Sequence, residues 1–96
     1  RHGYEGPRRR ILVVDNEEAD RTLLADLLQP LGFLVEGADS GEAALARLAD
    51  AAQPRPDAVC MDLAMPGIDG WETIRRLRAA GFGDLPLAVV SANAFD

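Results

Sequence analysis

The chain has no lysine, one histidine and one cysteine. A lone Cys60 excludes an internal disulfide and a zinc site built from thiolates. It also leaves a reducing cytoplasm as the expected compartment. His2 lies in a polar N-terminal stretch with no neighbour for catalysis or metal binding. No apolar run approaches the roughly 20 residues of a membrane-spanning helix, so no membrane contact by this domain is expected. The arginine-rich start has no apolar stretch before Ile11, so no signal peptide is expected in this stretch. No G-x-G-x-x-G follows the first apolar run, which argues against a dinucleotide enzyme. Basic charge is also short. The net charge is −6 and the isoelectric point about 4.6, against nucleic-acid binding by the domain body. Residues 1–10 carry four arginines against Glu5, a net of +3, so the remainder holds −9.

What is present fits one soluble domain. Ninety-six residues with 48% hydrophobic and 27% charged side chains can bury one core. Residues 1–9 read as a linker or appended tail, with Arg8, Arg9 and Arg10 a solvated run. Ile11–Val14 is a continuous apolar run, the mark of a strand buried on both faces. Ala19, Leu23, Leu24, Leu27, Leu28 and Leu31 then recur at helical spacing. Pro30 should end or kink that helix near Gln29, with Gly32 as its cap. Phe33–Ala38 is a second strand. Asp39, Ser40 and Gly41 start a second helix with a stripe at Ala44, Leu45, Leu48, Ala51 and Ala52, which Pro54 and Pro56 stop. Ala58–Met61 is a third strand, with Cys60 as inert interior packing. Trp71, Ile74 and Leu77 belong to a third helix, with Trp71 a half-buried anchor and Arg75, Arg76 and Arg78 on its exposed face. Gly81 and Gly83 close it. Leu87–Val90 is a fourth strand. The alternation implies an α/β domain with an open parallel sheet and helices on both faces.

Three of these strands run into a polar residue: Asp15, Asp62 and Ser91. In open parallel sheets, ligands sit outside the carboxyl ends of strands where strand order reverses. If the first and third strands are neighbours, their ends lie about 4.8 Å apart. Two carboxylates at that spacing repel unless a cation joins them, and oxygen ligands favour a hard ion such as Mg²⁺ with retained waters. Asn16 or Glu17 could add a ligand or a water contact. Taken singly, Asp15, Asn16, Glu17 and Glu18 could equally cap the first helix and complement its dipole.

Residues 10–96 resemble the receiver domain of bacterial two-component response regulators. The resemblance rests on MDLAMPGIDGWE at 61–72, on ILVVDNEE at 11–18 and on VVSA at 89–92. The run GYEGPRRRILVVD is similar to the linker before receivers fused to hybrid sensor histidine kinases. The resemblance implies a flavodoxin-like fold with strand order 2-1-3-4. In the family a fourth helix, a fifth strand and a fifth helix follow. The expectation is therefore a receiver domain incomplete at its C-terminus. Asp62 would be the phosphoacceptor, taking a phosphoryl group from a phosphohistidine. Asp15, Asp62 and the backbone carbonyl of Ala64 would hold Mg²⁺. Ser91 would bond a phosphoryl oxygen and move on activation, and the N–H groups of Leu63 and Ala92 would cradle the phosphoryl group. The implied partner is a histidine kinase or phosphotransfer domain, with a second copy of the chain as a further candidate.

Two departures from the family pattern stand out. Asn16 replaces the second of two successive acids, which removes a charge near the metal, and Glu17 could compensate. The family's lysine at the end of a fifth strand has no counterpart in a chain without lysine. The alternative reading is a pseudo-receiver, a protein-interaction module that switches without phosphate. A phosphatase-like hydrolase with an Asp nucleophile on the first strand would need an acid two residues on, which Glu17 partly meets, and a lysine, which nothing meets.

Overall fold

Ile11, Leu12, Val13 and Val14 are all buried, as an apolar run sheathed on both faces requires. In the computed structural model, which describes residues 8–90, they form β1 (Arg10–Val14). α1 (Glu18–Leu28) follows and tightens into a 3-10 turn at Gln29–Leu31 that ends at left-handed Gly32, so Pro30 acts where expected. Then come β2 (Leu34–Ala38), α2 (Gly41–Ala49), β3 (Ala58–Asp62), α3 (Gly70–Ala79) and β4 (Leu87–Val90). All strand pairs are parallel and the order is β2-β1-β3-β4. The chain direction along the sheet thus reverses between β1 and β3.

Alternate residues of each strand face opposite sides. Leu12, Val14, Val59 and Met61 join Ala44 and Leu48 of α2 and Leu77 of α3 in the main core. Ile11 and Val13 point to the other face, toward α1. Side-chain caps fix the starts of the two core helices. Ser40 Oγ accepts from the Ala43 N–H at 3.0 Å, and Asp69 Oδ1 accepts from the Glu72 N–H at 2.9 Å.

Several expectations change. α1 has no fully buried residue. Leu24 and Leu28 are half-buried, while Ala19, Leu23, Leu27 and Leu31 are exposed. α2 stops at Ala49, before Ala51, Ala52 and the prolines, because Asp50 turns the chain by accepting from the Ala52 N–H. Cys60 alternates with buried Val59 and Met61, so it lies on the α1 face and is only partly covered. Trp71 is exposed, because Gly70, Thr73 and Leu77 carry the buried side of α3. Arg10 is not merely solvated: its guanidinium meets Glu36 at 2.8 Å. Arg78 turns back to bond the carbonyls of Phe82 and Leu85.

Candidate functional site

The parallel register determines the site. Val14 pairs with Met61, so Asp15 at the exit of β1 falls abreast of Asp62 at the end of β3. Asp62 in turn pairs with Val90. With strands about 4.8 Å apart, the two carboxylates must share one space. Together with Asp20, Leu23 and Leu27 of α1 and Val90, they line a cavity of about 430 Å³. A larger depression of about 610 Å³ runs along the outer side of α1, around Glu18, Thr22 and Asp26. It lies away from the strand ends, so the chemistry is assigned to the smaller cavity.

Each acid is held by the same local device. Asp15 Oδ1 accepts from the Glu17 N–H at 2.9 Å, and Asp62 Oδ1 accepts from the Ala64 N–H at 3.1 Å. Such turns, in which a carboxylate captures the N–H two residues on, fix the side chain to its own loop. Both residues also line the shared cavity. Asp15 is 6% exposed. Burial pushes its carboxyl above the usual aspartate range, the Glu17 N–H opposes this, and the charge of Asp62 raises it further.

The loop after Asp62 is tightly seated. Gly70 N–H donates to the Leu63 carbonyl at 3.4 Å. A Cβ on Gly70 would collide with the Asp62 carbonyl oxygen and lie 2.7 Å from Leu63 Cα, so only glycine fits beneath the acid.

Among the expected site residues, Asp15 and Asp62 are brought together. Glu17 is exposed and stands next to the Asn16 amide at 3.5 Å. Among the described residues no group of three or more His, Cys, Asp or Glu side chains is placed to hold a metal ion together. Leu63 N–H is committed to the Val90 carbonyl at 3.1 Å, because the β3–β4 ladder runs one residue past Asp62. The main-chain donor facing the Asp62 carboxylate is Ala64 N–H, which the sequence reading overlooked. Ser91 and Ala92 lie outside the described residues. The reading also overlooked Arg21, whose guanidinium donates to the Asp15 carbonyl at 2.7 Å. The available signal was Gly37, an isolated glycine inside a strand, which marks a close approach.

The match to known proteins covers this whole unit. A family model described as response regulator receiver domain matches residues 11–96. Response regulator MprA of Mycolicibacterium vanbaalenii is 46% identical over 84 residues, spanning 88% of this chain and 35% of that protein. The chain therefore spans about a third of the length of the curated relatives it matches. A response regulator receiver protein from Pseudomonas putida superposes with a TM-score of 0.82 at 34% identity, covering 90% of this chain and 69% of that one. Response regulator protein TrrA from Thermotoga maritima, solved in complex with Mg(2+)-BeF, gives 0.78 at 36% identity, covering 88% and 70%.

Proposed function

The chain belongs to the response regulator receiver domain family, and from that premise we propose that Asp62 is the phosphoacceptor of a two-component phosphorelay. The observation that carries this is the pairing of Asp15 and Asp62 abreast at the reversal point of the sheet, in one cavity. A carboxylate is a competent covalent nucleophile. The second Asp62 oxygen attacks the phosphorus of a phosphohistidine on a histidine kinase or phosphotransfer domain. An O–P bond forms, the N–P bond breaks, and the freed imidazole takes a proton from solvent.

Phosphoryl transfer requires positioning and charge neutralisation more than covalent help. The residues fit Mg²⁺. The donors are all oxygen, and Asp15 and Asp62 form a like-charged pair abreast in one cavity. Asp15 and Asp62 would hold the ion through carboxylates and Ala64 through its carbonyl. When bound, it neutralises charge on the phosphoryl oxygens. Ala64 N–H, already directed at Asp62, is the donor we assign to a phosphoryl oxygen in place of Leu63 N–H. Ser91 and Ala92 keep the roles the family resemblance gives them. We place the domain in the cytoplasm, and the linker-like run before β1 favours fusion behind a histidine-kinase core.

The second reading, a phosphate-independent pseudo-receiver, draws on Asn16, which removes one negative charge beside the metal ligands. One experiment separates the two. The full-length protein is incubated with acetyl phosphate and Mg²⁺, and intact mass and hydroxylamine sensitivity are measured. We expect one hydroxylamine-labile phosphoryl group on wild type and none on Asp62→Asn. Equal labelling of both moves the acceptor elsewhere. No labelling of either moves the reading to the pseudo-receiver.

A further inference from the structure

We propose that Arg21 is a positioning residue for Asp15: from α1 it fixes the peptide plane that aims this carboxylate at the metal, and Gly37 keeps its path open. The inference rests on the reading of Asp15 and Asp62 as Mg²⁺ ligands.

Asp15 is the point where a buried strand becomes an exposed loop, and its main chain must be held at both ends. Its N–H donates to the Ala38 carbonyl at 3.0 Å, the last rung between β1 and β2. Its carbonyl lies past that ladder and accepts from Arg21 Nη1 at 2.7 Å, a short charge-assisted bond. That carbonyl belongs to the peptide plane joining Asp15 to Asn16. The next plane carries the Glu17 N–H, which holds Asp15 Oδ1 at 2.9 Å. Releasing the carbonyl frees the first plane to turn, and the Glu17 N–H moves with it. Arg21 therefore restrains the carboxylate in two ways, although it touches neither carboxylate oxygen.

Gly37 supplies the independent observation. It sits inside β2, opposite Val13, where glycine weakens a strand. A Cβ there would lie 3.2 Å from Arg21 Cδ and 3.5 Å from its Nε. The arginine stem passes over the bare backbone of Gly37 to reach Asp15. A side chain at 37, above all a β-branched one, would press the stem aside.

The test exploits opposite signs. Arg21 is a cation beside an acidic site, so removing its charge alone would strengthen Mg²⁺ binding. Loss of positioning weakens it. Residues that orient metal ligands typically change affinity 10–100-fold when lost. Mg²⁺ binding is measured by calorimetry on the full-length protein as wild type, Arg21→Met, Arg21→Lys and Gly37→Val. Melting without metal and the Glu17 amide resonance are followed in parallel. We expect Arg21→Met to bind Mg²⁺ about tenfold more weakly, Gly37→Val to weaken it in the same direction, Arg21→Lys to recover part of the loss, and the Glu17 amide to shift in metal-free Arg21→Met. Binding by Arg21→Met that equals or exceeds wild type overturns the inference. So does a lower melting temperature with an unchanged Mg²⁺ affinity, which would make Arg21 a stabilising residue only. A wild type indifferent to Mg²⁺ overturns the metal reading itself and this inference with it.

Discussion

Asp15 is a carboxylate in surroundings that disfavour its charge while no metal is bound. It is buried, beside another acid, and its carboxyl is raised by both causes. Asp15→Asn keeps the oxygen that accepts from Glu17 and removes the charge. We expect this variant to be more stable than wild type without metal by about 1 kcal/mol, raising the melting temperature by about 4–8 °C for a domain of this size. Mg²⁺ at ten times its dissociation constant should stabilise wild type by about 1.4 kcal/mol and the variant hardly at all. Calorimetry with EDTA and with Mg²⁺ checks both halves, and a variant that melts lower than wild type in EDTA contradicts the argument. The two acids were legible in the sequence because each ends an apolar strand. Their main-chain partners were not. Whether Leu63 or Ala64 presents its N–H to Asp62 depends on how far the β3–β4 ladder runs, and that is a register between strands distant in sequence.

At the scale of elements, one carboxylate ties three of them. Glu36 of β2 receives Arg47 of α2 at 2.6 and 2.9 Å and Arg10 of β1 at 2.8 Å. Arg47 also donates to the Pro54 carbonyl. The bonds from Arg47 foremost, then the one from Arg10, hold the Glu36 carboxyl below its usual 4.5, against an opposing effect of burial. Because the folded state binds this proton more weakly than the unfolded chain, the stabilisation is complete above about pH 4.5. It is lost as pH falls through the depressed folded value. Glu36→Gln should therefore cost about 2 kcal/mol near neutrality, the scale of a hydrogen bond to a charged group. The gap to wild type should close in acid. Urea melts across the acid range measure it, and a gap independent of pH would assign the loss to packing. The order and type of the elements were readable because hydrophobic period and turn residues agree. Their faces were less so. Arg10 looked like part of a solvated run, and only the pairing of Leu12 with Glu36 brings the carboxylate within its reach. The alanines at 51 and 52 continued the α2 period, yet Asp50 had already captured the next turn.

Across the whole molecule, the two faces of the sheet are unequally covered. The α2–α3 face holds the main core, while α1 buries none of its residues completely. Leu23, Leu27 and Leu31 are 57%, 59% and 58% exposed, and Leu23 and Leu27 flank Val90 at the acidic cavity. On the opposite face Val89 is 44% exposed. Among the described residues β4 pairs with β3 alone, and no other strand lies along its outer edge. Apolar surface beside a bare strand edge is a template for association. The net charge of −6 opposes it through repulsion, which salt screens beyond about 10 Å at 0.1 M. The 96-residue chain by itself is thus expected to self-associate, more strongly as salt rises. Leu23→Asp combined with Leu27→Asp should reduce this without unfolding the domain, because neither side chain belongs to the core. Sedimentation velocity at low and high salt, with thermal melts alongside, checks the expectation. A salt-independent monomer with a sharp two-state melt would show that four strands and a half-covered α1 are sufficient alone.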